Sequence, residues 1–305
     1  MSSTPIFDAA GTARLIPFRP LVDALKIAAA DYAAGRVASP ERLVVPLNDN
    51  GIMLSMPAAA ADLAIHKLVN VCPRNGERAL PTIHGQVMTF DPDTGKTLFI
   101  LDGPTVTGRR TAAMTMLGIE TLSHAAPKDI LLIGAGTQTA SHLQAIGELY
   151  PDARVRVRGT SPARAQAFCD AQRDKVRALE PLSDSTIPDS VDTVIALTTS
   201  RQAVYDEAPR AGRIVIGVGA FTPQMCEIGA RTLAGSALYV DDLAGAKHEA
   251  GDFIQAGIDW STVTGIKDAF SNRPAVDRPI VFKTVGCAAW DLAAGRVARA
   301  ALGAG

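Results

Sequence analysis

The sequence predicts an α/β protein that opens on an antiparallel sheet and continues as a Rossmann-type, doubly wound parallel sheet. Two observations carry this. Short β-rich runs separated by turns follow one another over the first third, whereas from Ile130 onward such runs alternate with helical stretches. The change of period falls beside the run Asp129-Ile130-Leu131-Leu132-Ile133-Gly134-Ala135-Gly136-Thr137-Gln138-Thr139-Ala140. Its apolar residues read as a strand buried on both faces, and a helix through Leu143, Ile146 and Leu149 follows the glycines. Gly134 suits a tight turn, Gly136 lets backbone approach a pyrophosphate, and the new helix aims its N–H groups at that charge. Thr139 at the third fingerprint position is a departure that asks for more room between helix and strand. A length of 305 residues allows about two domains.

The elements follow in order. Leu21, Leu25, Ile27, Ala28 and Tyr32 have helical spacing, and Gly35 ends that helix. The runs 42–47 and 52–56 flank Asn48-Asp49-Asn50-Gly51 and predict a hairpin. Strand character continues over 64–71, 82–90 and 97–101, with 91–96 as the turn between the last two. Several of these runs are apolar on consecutive residues, so the sheet is expected to need a partner over its second face, making the protein a homodimer. Further strands are expected at 154–158, 193–197, 213–218 and 237–241. A helix over 161 to about 179 starts with Ser161 as N-cap and Pro162 as its first residue. The Pro-rich segment 272–279 reads as a connection to a last helix over 288–300.

With 30 Lys and Arg against 31 Asp and Glu, the net charge of −1 provides no field for nucleic acid or an anionic membrane, and a small metabolite is the expected partner. Residues 1–5 lack the basic start and apolar core of a signal peptide, and no apolar run is long enough to span a bilayer, so a cytoplasmic location is expected. Cys72, Cys169, Cys226 and Cys287 are scattered, and His66, His84, His124, His142 and His248 have no ligand spacing; no metal is expected.

The second strand of an NAD-binding unit usually ends in an acid that binds the adenosine ribose. Here it ends in Arg158, followed by Gly159, Thr160, Ser161 and Arg164, a basic, hydroxyl-rich loop suited to a 2′-phosphate. The cofactor is therefore expected to be NADPH, with NADH weaker. The alternative is that Arg156, Arg158 and Arg164 form a solvated basic edge. The adjacent Arg109 and Arg110 are placed before a helix, near a Thr107 or other hydroxyl cap, where a guanidinium can clamp a carboxylate or phosphate. Arg42 and Lys67 are cations in apolar strand runs, and a buried cation needs an anionic partner.

His66-Lys67-Leu68-Val69, Leu80-Pro81-Thr82-Ile83-His84-Gly85, the run 107–113, Gly134-Ala135-Gly136-Thr137-Gln138 and Val281-Phe282-Lys283-Thr284-Val285-Gly286 resemble the ornithine cyclodeaminase and mu-crystallin family over nearly the whole chain. Gly219-Ala220-Phe221-Thr222-Pro223-Gln224 most resembles the branch that reduces 1-pyrroline-2-carboxylate and 1-piperideine-2-carboxylate. The resemblance implies an α+β substrate-binding and dimerisation domain from residues 1–120 and 283–305, with an NADP-binding Rossmann domain, 121–282, inserted in it. It implies that Arg42, Lys67 and Arg110 hold a substrate carboxylate, with Phe221 packed against the ring. Thr111, Gly134, Ala135, Gly136, Thr137, Gln138, Arg158, Thr160, Ser161, Arg164, Thr198 and Gly286 are expected at the cofactor. The implied chemistry is hydride transfer to a cyclic ketimine, giving L-proline or L-pipecolate, with Lys67 or His84 as proton donor. Rival readings are an ornithine cyclodeaminase, an alanine dehydrogenase, or a ligand-binding protein that holds NADP without turnover. The cyclodeaminase pattern has an Asp where this chain has Phe221, and Glu227 is read as a separate position.

Overall fold

The computed structural model describes residues 4–303 apart from 185 and 276. Residues 1–3, part of the segment read for signal-peptide features, and Val276 in the Pro-rich connection lie outside the described residues. Two helices come first. In α1 (Ala9–Leu15) the Asp8 carboxylate accepts the Gly11 N–H, and in α2 (Phe18–Ala33) the buried Phe18, Leu21, Val22, Leu25 and Ala28 form one stripe. Five strands then form an antiparallel meander in sequence order: β1 (Leu43–Pro46), β2 (Ile52–Ala59), β3 (Ala64–Val71), β4 (Ile83–Phe90) and β5 (Thr97–Asp102). Burial alternates along β3 and β4. Leu54, Met56, Ile65, Lys67, Val69, Val87 and Leu101 face the core. Met53, Leu68, Met88 and Ile100 lie on the other face and are only half-buried.

Helix α3 (Gly103–Leu122) follows β5 directly. Its cap is the Asp102 carboxylate, which accepts the Thr105 N–H at 2.8 Å and the Thr105 hydroxyl at 2.6 Å. Thr107, expected as a possible cap, lies inside the helix, and so do Arg109 and Arg110, expected before it. The helix starts earlier because an acid at its first turn satisfies the free N–H groups there and favours its dipole.

The parallel sheet begins with β6 (Asp129–Ile133), α4 (Thr137–Leu149), β7 (Arg154–Arg158), α5 (Pro162–Gln172) and β8 (Ala178–Pro181). It continues with β9 (Thr193–Ala196), β10 (Ile214–Gly217), α6 (Ala230–Ala234), β11 (Ala237–Val240), α7 (Leu243–Glu249), α8 (Gly251–Gln255), β12 (Val263–Gly265), α9 (Ile266–Ala269) and β13 (Ile280–Lys283); α10 (Ala288–Ala301) closes the chain. The eight strands lie in the order β12-β11-β13-β10-β9-β6-β7-β8, and every recorded pairing is parallel. Strand order reverses between β6 and β9, which makes the crevice beyond their carboxyl ends the usual ligand position.

The sequence reading names neither α1 nor α6 to α9 nor β12, and it departs from the structure in two further places. The helix expected to reach about residue 179 stops at Gln172, and β8 replaces its end. Pro181 cannot continue a helix, but it is tolerated at the end of an edge strand, and Arg156 on β7 pairs with Glu180 across the new contact at 2.5 Å. Just beyond the Pro-rich connection 272–279, where the sequence reading places no element before the last helix, β13 forms and inserts between β10 and β11.

The chain divides into two compact units, one running to Arg110 and resuming at Cys287, the other covering 111–286. The expected boundaries fall elsewhere, at 120/121 inside α3 and at 282/283 before the last residue of β13. In the first unit α10 packs on α2, β2 and β3. No helix among the described residues is long and apolar enough to cross a membrane.

Candidate functional site

The first unit holds a buried charge cluster. Lys67 lies in a cross-strand row between Met56 and Val87, on the core face of the sheet, and is 1% exposed. An ammonium cannot remain there without an anion. Asp291, from the first turn of α10 and fully buried, supplies it: Lys67 Nζ lies 2.6 Å from Asp291 Oδ2. The other oxygen, Oδ1, accepts from Arg110 Nε at 3.2 Å. Two cations thus share one carboxylate, and the uncompensated positive charge suits an anionic ligand. Burial pushes the Lys67 ammonium down to about 8; Asp291 opposes that shift, while Arg110 and the half-buried Arg42 reinforce it.

The neighbouring Arg109 has a different job. Its Nε donates to the Ile16 carbonyl at 2.8 Å, and its guanidinium lies 3.8 Å from the centre of the Phe18 ring, so it ties α3 to the start of α2. Of the arginine pair, Arg110 is the one beside Lys67. His84, by contrast, pairs with Asn70 on β3, one residue out of phase with the Lys67 row; it therefore lies on the opposite face of the sheet and is exposed. The structure does not bring the two expected proton donors together.

The second unit carries the dinucleotide features. Gly134 has φ of 123°, and a Cβ there would fall 2.6 Å from the Leu197 carbonyl oxygen, so the turn after β6 needs glycine twice over. At Gly136, which caps the 13-residue α4, a Cβ would meet nothing within 4 Å. Open backbone at a helix N-terminus is what a pyrophosphate requires. The departure at Thr139 is absorbed locally: its buried hydroxyl donates to the Gly134 carbonyl at 3.0 Å and accepts from Gly136 N–H at 3.4 Å, stitching the turn. Ala135 and Gln138 are half-buried and Thr137 is exposed, and the buried Gln138 Oε1 has no protein donor.

Thr111 is buried in α3, one turn before Thr115. His142 Nδ1 faces the Gln138 carbonyl at 2.8 Å, which only an N–H can satisfy, so Nε2 accepts from the Thr115 hydroxyl at 2.9 Å. Burial pushes His142 down to about 4 and keeps this link neutral.

At the end of β7, Arg158 is half-buried and its Nη2 donates to the Asp184 carbonyl at 3.1 Å. Thr160, Ser161 and Arg164 are exposed beyond it, and Ser161 caps α5. Arg156 is removed from the candidates by its bonds to Asp129 and Glu180. Thr198, after β9, gives both its N–H and its hydroxyl to Glu227. Gly286, with φ of 75°, donates its N–H to Asp241 at 2.9 Å, so its amide is already committed. Phe221 is half-buried in the loop after β10. These residues fit a nicotinamide dinucleotide: the turn, the open helix start and an arginine at the second strand are all present.

A family model, the ornithine cyclodeaminase/mu-crystallin family, matches residues 9–304. The chain belongs to that family. A Delta(1)-pyrroline-2-carboxylate/Delta(1)-piperideine-2-carboxylate reductase of Azospirillum brasilense is 57% identical over 304 residues, covering 100% of this chain and 98% of that protein. Among solved structures of the ornithine cyclodeaminase/mu-crystallin fold, the Delta(1)-pyrroline-2-carboxylate reductase of Thermococcus litoralis in complex with NADH and L-proline superposes with a TM-score of 0.87. It is 22% identical, covering 98% of this chain and 97% of that one. An archaeal alanine dehydrogenase dimer with bound NAD also reaches 0.87, at 23% identity, with 98% and 95% covered.

Sequence reading does not reach the roles of two carboxylates of these sites. Asp291 sits in an alanine-rich helix, where a lone Asp looks like a surface residue; the available signal was the demand of Lys67 and Arg110 for an anion. Glu227 was noticed, but only as a poor substitute for an acid at 221, and its four hydrogen bonds were not foreseen.

Proposed function

We infer that this protein reduces cyclic ketimines with NADPH, converting 1-pyrroline-2-carboxylate to L-proline and 1-piperideine-2-carboxylate to L-pipecolate. The single observation that carries the substrate class is the buried Lys67–Asp291–Arg110 cluster, two cations on one carboxylate. A substrate carboxylate completes its charge balance, with Arg42 as a further anchor, and fixes the ring. The relative from Azospirillum brasilense supports the same reading by its 57% identity.

The bound nicotinamide supplies the hydride that reduces the imine carbon. The protein's own part is to orient the ring and to protonate its nitrogen. Lys67 is our choice of donor, since an ammonium held at about 8 is charged at neutral pH yet releases its proton more readily than a free lysine. His84 is not assigned this role, because the sheet stands between it and Lys67. The residues from Gly134 to Gln138 with Thr111, Thr198 and Gly286 are assigned to the dinucleotide, and Arg158, Thr160, Ser161 and Arg164 to its 2′-phosphate, with NADH accepted less well. Phe221 packs against the ring and excludes water; an apolar residue there disfavours a cyclodeaminase, which has a second amino group to deprotonate.

The first unit is then the substrate-binding and dimerisation domain and the second the NADP-binding domain. The half-buried apolar residues Met53, Leu68, Met88 and Ile100 on one face of the meander support a homodimer, and the alanine dehydrogenase neighbour is itself a dimer. We place the protein in the cytoplasm, acting on a small imino acid, with no nucleic acid or membrane partner.

The test is to follow NADPH and NADH oxidation with both ketimines, with pyruvate plus ammonia, and with no substrate. Oxidation with the ketimines, faster with NADPH, is expected. Ketimine binding without oxidation would leave a ligand-binding protein, and oxidation only with pyruvate and ammonia an alanine dehydrogenase.

A further inference from the structure

Behind the loops of the second unit lies a second buried charge cluster. The Glu227 carboxylate is fully buried and accepts four hydrogen bonds. Oε1 takes the Thr198 N–H at 2.5 Å and the Thr198 hydroxyl at 3.0 Å, while Oε2 takes the Gly219 N–H at 2.6 Å and the Ala220 N–H at 3.0 Å. These donors belong to two loops, after β9 and after β10, on the carboxyl edge of the sheet that also carries the Gly134 turn. The loops touch so closely that a Cβ on Gly219 would fall 1.9 Å from the Thr198 carbonyl oxygen.

Asp252, 1% exposed, holds Glu227 in turn: its Oδ1 accepts the N–H groups of Glu227 at 2.5 Å and Ile228 at 2.8 Å. Lys283 Nζ, fully buried at the end of β13, lies 3.1 Å from Asp252 Oδ2 and 4.0 Å from Glu227 Oε2. Burial pushes the Glu227 carboxyl up, and Lys283 pulls it back toward ionisation. Burying three charges is a poor route to stability compared with apolar packing. What the arrangement secures is geometry, since one carboxylate sets the spacing of two loops.

We propose that Glu227 is a positioning residue for ketimine reduction, tying the loop of Thr198 to the loop of Gly219, Ala220 and Phe221 so that both present fixed edges to nicotinamide and substrate. The proposal rests on the reductase reading above. Glutamine has the same shape but turns an NH2 group toward one pair of donors, so Glu227→Gln releases one loop.

The test compares Glu227→Gln with the unmodified protein by amide hydrogen exchange, NADPH affinity from nicotinamide fluorescence, and kcat and KM for 1-pyrroline-2-carboxylate. Exchange at 198–200 and 219–221 is expected to rise, and kcat to fall, each by about ten- to a hundredfold, the loss of a charged hydrogen bond. Exchange in α4 should not change, and NADPH affinity, to which Thr198 contributes alongside Gly136 and Arg158 on other loops, should fall by less than kcat does. Unchanged exchange and kcat would overturn the proposal. So would faster exchange throughout the sheet together with lost NADPH affinity, the mark of a residue that only supports the fold. If Glu227→Gln does not fold, Glu227→Asp, which keeps the charge but is one methylene too short to reach both loops, takes its place with the same outcomes. An unmodified protein inactive on ketimines would remove the reductase reading, while the exchange comparison would still decide whether the clamp exists.

Discussion

Replacing Asp291 by Asn removes the carboxylate that Lys67 and Arg110 share while keeping the side chain's size. In the unmodified protein the Lys67 ammonium sits at about 8, against 10.5 for a free lysine, which is about 3 kcal/mol against its charged form. Asp291 is the group that prevents a larger loss, from 2.6 Å. A charged hydrogen bond of this kind is worth about 1.5 to 3 kcal/mol, so its removal lowers the proton affinity of Lys67 by about one to two pH units. The alkaline limb of kcat/KM for ketimine reduction, expected near pH 8, then moves to between about pH 6 and 7, and activity at pH 7.5 falls by about three- to twenty-five-fold. Ionisation of the ketimine itself is common to both proteins and cancels in the comparison. Stability moves with the same proton. Because the folded pKa lies below the unfolded one, the folded state releases the proton first, so stability rises with pH from about 8 to 10.5 in the unmodified protein and from a lower pH in Asp291→Asn. Denaturant unfolding at a series of pH values reads this directly. An alkaline limb that stays near pH 8 in Asp291→Asn would refute the argument that Lys67 is the titrating donor and Asp291 its counter-ion.

Arg158→Asp should abolish a preference for NADPH of about tenfold or more, checked by kcat/KM with each cofactor; equal efficiency in the unmodified protein would remove the assignment. Sedimentation at micromolar concentration should show a dimer or a multiple of it, and a mass of only 31.9 kDa would contradict the proposal that a second copy covers that face of the meander. Incubation with ornithine and catalytic NAD should yield no ammonia, whereas Phe221→Asp should gain a detectable rate; ammonia release by the unmodified protein at the rate of ketimine reduction would overturn the exclusion of a cyclodeaminase.

Local pattern made most of the fold legible. Short β-rich runs separated by turns mark β1 to β5, and continuous apolar runs mark β6, β9, β10 and β11. The strands that escaped notice did so for physical reasons. β8 is an edge strand of Ala, Leu, Glu and Pro with no buried run to announce it, and β13 is short, follows a Pro-rich stretch, and ends in a lysine. Hydropathy penalises that lysine, but a partner far earlier in the chain, Asp252, accommodates it at 3.1 Å. The arginine pair was legible as residue types but not as roles. Only the structure separates Arg109, stacked on Phe18, from Arg110 beside Lys67. His84 was misleading because sequence spacing does not reveal which face of a sheet a residue shares with another until the register is known; Asn70 opposite His84 settles that phase.

The two buried charge clusters also show why one is read as a ligand site and the other as a positioning device. Each places a strand lysine, Lys67 or Lys283, against an acid from a helix, Asp291 or Asp252. Their charge balance differs. At Lys67 two cations meet one carboxylate, so charge remains that an incoming anion can neutralise. At Lys283 one cation meets two carboxylates, and the surplus negative charge is already met by the N–H groups of Thr198, Gly219, Ala220, Glu227 and Ile228 and by the Thr198 hydroxyl. A carboxylate with two donors on each oxygen has little left for a substrate ammonium or proton. Glu227 is therefore unable to replace the acid missing at Phe221, and the same saturation that disqualifies it as a base makes it effective as a clamp.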